Sequence, residues 1–195
     1  MRKWSAVLVF CFALVAGNAF ADNVLDNPGF ETGALSPWFN STDFCGGCTW
    51  SVTSEDAHGG SFSAATNPIG NAGNRLIEQD FAAIATSMIT EASLWLKMPD
   101  TGIAAVFFRY SDSTTEENIV TVTNLWTQFN MTAFLDPGKS LVGFGVFGCT
   151  NCPGSSRTFA DDFVVNAVPE PASLALLGSG LLGIAGIARR RFLKI

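Results

Sequence analysis

Basic residues are scarce in this chain, and their scarcity excludes one class of partner. Of the 195 residues, 11 are Lys or Arg and 17 are Asp or Glu. Most of the basic residues lie close to the two ends, so residues 22–167 contain five basic and sixteen acidic side chains. The resulting formal charge of −11 repels nucleic acid and anionic lipid, and it suits cations or neutral glycans. A nucleic-acid-binding function is therefore excluded.

Catalytic residues and motifs are also missing. His58 is the only histidine, and it stands in a Gly-Gly turn, where a turn-forming role is the ordinary interpretation. The sequence contains no G-x-S-x-G motif, no H-E-x-x-H motif and no Ser, His and Asp in the order of a known triad. Glu116 and Glu117 lie in a polar stretch that is typical of a solvated turn rather than an acid–base pair. These absences argue against an enzyme.

Helical periodicity is absent between residues 22 and 167. Short β-branched or aromatic runs are instead separated by turn-forming residues roughly every eight to twelve positions, which is typical of an all-β sandwich. Seventeen Phe side chains supply the material for two sheets packed face to face. Strands are predicted near residues 24–31, 48–53, 61–66, 75–84, 90–98, 103–111, 117–123, 126–134, 140–147 and 158–166.

The alternation in residues 141–147 predicts an unusual strip on one sheet. Val142, Phe144 and Val146 are expected to share one face of this strand. Gly143 and Gly145 then face the other way and leave a shallow surface without side chains. Another backbone or a ligand can approach closely at such a position.

The N-terminal segment has the features of a secretory signal peptide. Arg2 and Lys3 precede an apolar run from Ala6 to Val15, and Ala19-Phe20-Ala21 supplies a small-residue cleavage site. We expect residues 1–21 to be removed after Ala21. The working part of the chain is then residues 22–167, which is long enough for one domain with a sizeable core.

The C-terminal segment combines three features in a fixed order. Val168-Pro169-Glu170-Pro171 comes first, and its prolines hold the backbone extended. Residues 172–188 carry no charge and reach about 25 Å as a helix, near the lower limit for spanning a bilayer. The basic residues Arg189, Arg190 and Arg191 follow, within a tail at 189–195, and mark the cytoplasmic end. A transmembrane helix is therefore predicted over 172–188.

This arrangement resembles the PEP-CTERM sorting signal over residues 168–191. The resemblance implies processing near Val168–Pro171 by an exosortase, a membrane enzyme that passes its product to the cell surface or to extracellular polysaccharide. A plain single-span anchor has the same hydropathy, although it does not need the Pro-Glu-Pro motif. We expect a protein that is exported, held in the membrane by its C-terminal helix until it is processed, and then located at the cell surface or in the extracellular matrix.

The cysteines outside the signal peptide form two C-x-x-C pairs, Cys45 with Cys48 and Cys149 with Cys152. In an exported chain an even number of cysteines is read first as disulfides, and four cysteines allow three pairings. A four-thiolate zinc site is the alternative. A redox C-x-x-C motif is less favoured, because neither pair lies in a thioredoxin-like βαβ pattern.

Four motifs carry a second resemblance, to the carbohydrate-binding-module type of galactose-binding-like jelly roll. They are Asn27–Gly33 with the following Leu35–Trp38, Asp56–Ser63, Leu125–Phe129 and Phe159–Val164. Their order and spacing match the opening strand, the turn into the next long strand, and the later strands of that fold. The resemblance implies a jelly-roll β-sandwich over residues 22–167.

The same resemblance implies a structural calcium ion between the first and last strands. Its ligands here are Glu31 and one of Asp161 or Asp162, with backbone carbonyls near Gly29. Hard cations take carboxylate and carbonyl oxygens of this kind. The alternative is that the two aspartates only solvate the end of a strand.

A glycan-binding face is predicted from residue types. Sugar recognition needs an aromatic platform with polar groups beside it. Adjacent predicted strands supply such a set, to which a further Trp adds: Trp95, Lys97, Arg109, Tyr110 and Trp50. The alternative is that Trp residues in a Phe-rich sandwich belong to the core, as is expected of Trp38 and Trp126.

The sequence thus predicts an exported, non-enzymatic protein of the cell surface or extracellular matrix that associates with extracellular polysaccharide. Two alternatives stay open. One is a structural matrix component without a specific ligand, and the other is an extracellular enzyme.

Overall fold

The computed structural model describes residues 21–40, 49–66, 75–148 and 157–168, together with Gly180. Several predictions lie outside these residues. They concern the signal peptide, the cysteines Cys45, Cys48, Cys149 and Cys152, the motif residues Pro169, Glu170 and Pro171, the helix over 172–188, and Arg189, Arg190 and Arg191. Among the residues that are described, no helix is long and apolar enough to cross a membrane.

Residues Asp22–Ala167 form one compact unit built of strands. The strands are β1 (Asp22–Asn23), β2 (Phe39–Asn40), β3 (Trp50–Thr53), β4 (Ser63–Thr66), β5 (Leu76–Ala85), β6 (Ile89–Lys97), β7 (Gly102–Tyr110), β8 (Thr115–Val122), β9 (Thr127–Asn130), β10 (Ser140–Phe147) and β11 (Phe159–Ala167). Short 3-10 turns lie at Thr86–Met88 and Thr132–Phe134.

The strands form two antiparallel sheets. One is six-stranded, with the order β3-β4-β11-β6-β9 and with β1 pairing β11. The other is five-stranded, with the order β2-β5-β10-β7-β8. The predicted all-β sandwich is confirmed, and nine of the ten predicted strands are present within a few residues of their expected bounds.

The core lies between the two sheets and is rich in aromatic rings. Phe163 of β11 packs on Trp38 with ring centroids 4.5 Å apart, and on Phe144 of β10 at 5.9 Å. Phe144 also stacks on Phe108 of β7 at 5.5 Å. These rings join the two sheets, because Phe163 comes from one sheet and its partner Phe144 comes from the other, together with Phe108.

The predicted strand at 24–31 is wrong, and the reason is local. Asn27 and Phe30 adopt left-handed backbone conformations, with φ of 50° and 59°, which a strand does not contain. The Asn27 side chain also accepts the amide of Thr32 and donates to the carbonyl of Ala34. Such side-chain bonds compete with a strand ladder. The segment is a series of turns that leads from β1 to β2.

The predicted facing of Val142 is also wrong. Against β7, Leu141 pairs with Tyr110 and Gly143 with Arg109, so that Val142 is the extra residue of a β-bulge. The register with β5 shifts at the same point, but there the extra residues belong to β5. Leu141 is fully buried in the core with Phe144 and Val146, whereas Val142 is only partly buried. The bulge therefore puts Leu141 where simple alternation placed Val142.

Replacing Phe144 with Ala is expected to destabilise the domain by about 3–5 kcal/mol, because a fully buried ring is lost between the sheets. Denaturant unfolding measures this change. Phe134→Ala is the matched control, since Phe134 is 52% exposed and its truncation is expected to cost less than about 0.5 kcal/mol. Similar losses for both variants would contradict the described core.

Candidate functional site

Trp95 does not form an open platform. It lies on β6, opposite Asp161 of β11 and Gln128 of β9 in the six-stranded sheet. The ring of His58 stacks on the indole with centroids 3.6 Å apart and an interplanar angle of 15°. One face of Trp95 is therefore covered by a side chain of its own domain, in the position where a sugar ring would stack.

The loop that carries His58 is fixed to the sheet beneath it. The amides of His58 and Gly59 donate to Oδ2 of the buried Asp161 at 2.8 and 3.2 Å. Asp56 accepts hydrogen bonds from Lys97 and from the indole of Trp126. Partial burial raises the pKa of Asp56, but these two donors outweigh it and leave that pKa below its ordinary value. The loop therefore closes this face.

The contacts of this loop change the expected roles of Lys97 and Trp126. Lys97 is engaged with Asp56 rather than directed at a ligand. Trp126, which was expected in the core, is only partly buried and holds the loop through its indole N–H.

The other members of the predicted glycan face lie elsewhere. Arg109 and Tyr110 belong to β7 in the five-stranded sheet, so the interpretation that they share a face with Trp95 is wrong. Trp50 is 2% exposed and donates its indole N–H to the carbonyl of Arg75 at 3.2 Å. The structure thus divides the predicted set between two sheets and the core.

Arg109 instead lies in a cleft on the five-stranded sheet. The cleft has a volume of about 430 Å³ and is open to solvent on one side. It is lined by residues of three neighbouring strands and of the turn after β7: Asp80, Phe81, Arg109, Tyr110, Ser111, Ser113 and Val142. Sequence reasoning identified Arg109 and Tyr110 but missed the others, although the expected glycine strip pointed to this part of β10.

The cleft depends on Gly143. This residue pairs with Asp80 on one side and with Arg109 on the other, so the two charged residues lie on strands that flank it. A Cβ atom at Gly143 would lie 2.1 Å from Oε1 of Glu78 and 3.1 Å from Nη2 of Arg109. Because glycine has no Cβ atom, the side chains of Glu78 and Arg109 can meet above Gly143. Arg109 forms ion pairs there with both Glu78 and Asp80.

Glu78 holds the guanidinium from below. Its side chain is 4% exposed, and its Oε1 accepts the Nε–H of Arg109 at 2.8 Å. Burial raises the pKa of Glu78, and the opposing effect of Arg109 does not cancel that rise. Burial lowers the pKa of Arg109, but Glu78 and Asp80 together leave that pKa raised. Arg109 thus stays charged and oriented, while Asp80, 57% exposed at its side chain, faces solvent.

The hydroxyl group of Tyr110 has a structural role at the edge of the cleft. It donates to Oε2 of Glu116 at 3.1 Å and accepts the amide of Asp136 at 2.9 Å. Burial is the main cause that raises the pKa of Tyr110 to about 12. This hydroxyl therefore stays protonated and fixes the turns beside the cleft.

Two of the predicted calcium ligands, Asp161 and Asp162, lie where the turn after β1 meets β11. A Cβ atom at Gly29 would lie 3.0 Å from Oδ1 of Asp162, 3.6 Å from Oδ1 of Asp161 and 3.8 Å from Cγ of Glu31. Asp162 adopts a left-handed backbone conformation with φ of 44°, as Asn27 and Phe30 do in the facing turn. Strained residues of this kind cluster at ligand-holding sites.

The fit of these residues to a cation is strongest at the two aspartates. Burial, followed by the charge of Asp162, raises the pKa of Asp161 to about 6, and a bound cation would relieve both effects. All three carboxylates already have partners within the protein. Glu31 accepts the amides of Ser61 and Phe62. Asp161 accepts those of His58 and Gly59, and Oδ2 of Asp162 lies 2.7 Å from Nδ1 of His58. Within the described ranges, no three His, Cys, Asp or Glu side chains are grouped as a metal cluster. Calcium therefore stays a prediction, with Glu31, one of Asp161 or Asp162, and carbonyl oxygens near Gly29 as its ligands.

Comparison with solved structures defines the class of fold. The structure of TmCBM61 in complex with β-1,4-galactotriose matches with a TM-score of 0.52 and 21% identity, over 75% of this chain and 99% of that one. The tandem CBM22-1–CBM22-2 domain of Paenibacillus barcinonensis Xyn10C matches with a TM-score of 0.51 and 17% identity, over 80% of this chain and 49% of that one. The chain thus has the jelly-roll sandwich fold of carbohydrate-binding modules, as predicted. No curated protein sequence matches it.

The C-terminal segment has a specific match of its own. Residues 167–191 match the family model of the PEP-CTERM protein-sorting motif, which confirms the resemblance seen in the sequence. The chain therefore carries a sorting signal that indicates export.

Calcium is expected to raise the melting temperature of the exported protein, and a chelator is expected to lower it. At a calcium concentration about 100 times Kd the stabilisation is about 2.7 kcal/mol. Asp162→Asn should reduce the difference between the two conditions, whereas Asp100→Asn, an exposed aspartate in another turn, should leave it unchanged. Identical melting of the wild-type protein with calcium and with chelator would exclude the site.

Proposed function

We propose that this chain is an exported, non-enzymatic protein of the cell surface or extracellular matrix that binds extracellular polysaccharide in the cleft of the five-stranded sheet. The observation that carries the proposal is the Arg109–Asp80 pair, which is oriented over Gly143 and faces an open cleft of about 430 Å³.

The groups in the cleft match the chemistry of sugar hydroxyls, which both donate and accept hydrogen bonds. A guanidinium offers only donors, an ionised carboxylate offers only acceptors, and serine hydroxyls offer both. Arg109, Asp80, Ser111 and Ser113 supply all three kinds. Phe81 packs against the core between the sheets, and its partly exposed ring also lines the cleft, where it adds an apolar surface for the C–H face of a sugar ring.

The buried carboxylate of Glu78 makes the cleft suitable for binding. A guanidinium that is already oriented loses less conformational freedom when a ligand arrives, and this lowers the cost of binding. The partner is a neutral polysaccharide, because the formal charge of −11 over residues 22–167 repels an anionic one.

The fold supports the same class of ligand. The matching TmCBM61 structure contains β-1,4-galactotriose, a neutral sugar chain. At 21% identity that likeness establishes the fold alone. The proposal of a glycan ligand for this chain therefore depends on the residues of its own cleft.

Processing by an exosortase fits the position of the sorting motif in the chain. Strand β11 ends at Ala167, and the motif follows directly at Val168. A cut within residues 168–171 would separate the complete strand unit from the apolar segment at 172–188. The protein would then pass from the membrane to the surface or matrix with its cleft intact.

Asp80→Asn is expected to weaken retention in gels that contain the host's own extracellular polysaccharide by about tenfold or more, because hydrogen bonds to a charged group contribute about 1.5–3 kcal/mol. Affinity electrophoresis measures the change. Asp100→Asn is the matched control, since Asp100 is exposed in the turn before β7, at the opposite end of that strand from Arg109.

Trp95→Ala distinguishes the two surfaces. If the polysaccharide binds in the cleft of the five-stranded sheet, retention of this variant in the polysaccharide gel should be unchanged. Its melting curve must first show that the variant is folded. Loss of retention for Trp95→Ala but not for Asp80→Asn would transfer the site to the six-stranded sheet. Free migration of the wild-type protein would favour a structural matrix component without a specific ligand.

The surface form of the protein is expected to lack the tail that ends at Ile195, because the sorting motif directs a cut near residues 168–171. Intact-mass spectrometry of surface protein measures its C-terminus. The triple substitution Pro169→Ala, Glu170→Ala and Pro171→Ala leaves the apolar segment unchanged and should retain the tail in the membrane fraction. A wild-type surface form that still contains Ile195 would contradict processing.

A further inference from the structure

The edge strands of the two sheets differ greatly in length. The six-stranded sheet ends in β3 and β9, which have four residues each, and the five-stranded sheet begins with β2, which has two. The other edge of the five-stranded sheet is β8 (Thr115–Val122), which has eight residues. Short edges limit pairing with other chains, whereas a long regular edge invites it.

Strand β8 also lacks several of the usual features that prevent such pairing. It contains no Lys, Arg or Pro. It pairs with β7 in continuous register from Thr115 to Val122, without a bulge. Among the strands that the structure describes, none pairs with its outer side. The edge is thus long, regular and available for a further strand.

The most exposed large apolar side chain described belongs to this edge. Ile119 is 76% exposed and lies opposite Ala105 of β7. Ile103 lies two residues from Ala105 on the same face and is 38% exposed. Two exposed isoleucines therefore lie on the outer face of the sheet, and Ile119 lies at its edge.

The charges of β8 favour one partner in particular. Both carboxylates, Glu116 and Glu117, lie in the N-terminal half of the strand, and the C-terminal half is uncharged. If two copies pair antiparallel about a twofold axis at Ile119, Glu117 lies opposite Thr121, and Glu116 lies opposite Val122. Like charges directly opposite each other destabilise a sheet, and this register avoids them.

We propose that β8 pairs antiparallel with β8 of a second copy of this chain, about a twofold axis that passes between the two Ile119 residues. The two five-stranded sheets then continue into one. Side chains of directly opposed residues lie on the same face of a sheet, and a twofold axis perpendicular to the sheet keeps the outer face of each copy on the same side. The two Ile119 side chains therefore meet on the outer surface. A register centred on Glu117 is disfavoured, since it places two carboxylates together.

The contact between two strands is small, so the dimer forms at high local concentration rather than in dilute solution. Specific interfaces usually bury more surface than one strand pair provides. Chains held side by side by a membrane-associated sorting segment have a high effective concentration, which favours a weak second contact.

Cysteine cross-linking in the membrane-held chain, before its tail is removed, tests the register. Directly opposed side chains have Cβ atoms about 4.5–5.5 Å apart, which is close enough for a disulfide after small adjustments. Ile119→Cys should therefore form a covalent dimer in a non-reducing gel. Thr121→Cys is the matched control on the same strand and face, because its two copies would lie about 14 Å apart along the strand. The wild-type chain measures any background from the native cysteines.

A dimer that forms with Ile119→Cys and exceeds both the wild-type and Thr121→Cys levels supports the proposal. No dimer with Ile119→Cys, or an equal amount with Thr121→Cys, overturns it. Sedimentation of the full-length chain in detergent provides a second measurement. The wild-type protein should show concentration-dependent association that Ile119→Lys abolishes, and unchanged association in that variant would also overturn the proposal.

Discussion

The antiparallel pairing of β11 inside the six-stranded sheet is the interaction on which the rest of this structure depends. The strand pairs with β4 and β6, and β1 joins it as well, so the first and last strands of the domain are tied together. Its inward residue Phe163 packs against Trp38 and Phe144 and so joins the two sheets. Its outward residue Asp161 holds the loop that covers Trp95. The chain then continues directly into the sorting motif, so one strand is shared by the core, the covered face and the connection to that motif.

The strands themselves could be predicted from the sequence because alternation is a local property. Nine of ten were found in this way, and the tenth failed where side-chain hydrogen bonds of Asn27 favour turns. Sheet membership is not local. Strands β6 and β7 are consecutive in the chain, and consecutive strands often pair, but here they lie in different sheets. That single difference separates Arg109 from Trp95 and changes the candidate site.

The cleft shows a second limit of sequence reasoning. Asp80, Gly143 and Arg109 come from three strands that are far apart in the chain, and they meet only because of the register of β5, β10 and β7. The sequence pointed to Gly143 and Gly145 as a strip that something could approach. What approaches Gly143 is first of all the protein's own Glu78, which orients Arg109. If β8 pairs with a second copy, the two clefts lie on the same face of one continuous sheet, a geometry that suits a polymer with repeated units.

The proposed function places a polysaccharide in the cleft of the five-stranded sheet. The most direct test is a titration of the isotope-labelled protein with oligosaccharides from the host polysaccharide, followed by backbone and indole NMR shifts. A sugar chain in the cleft should shift the amide signals of Ser111, Ser113 and Val142 and leave the indole signals of Trp95 and Trp126 unchanged. Shifts confined to those indoles, or no shifts at saturating sugar, would contradict the proposed function.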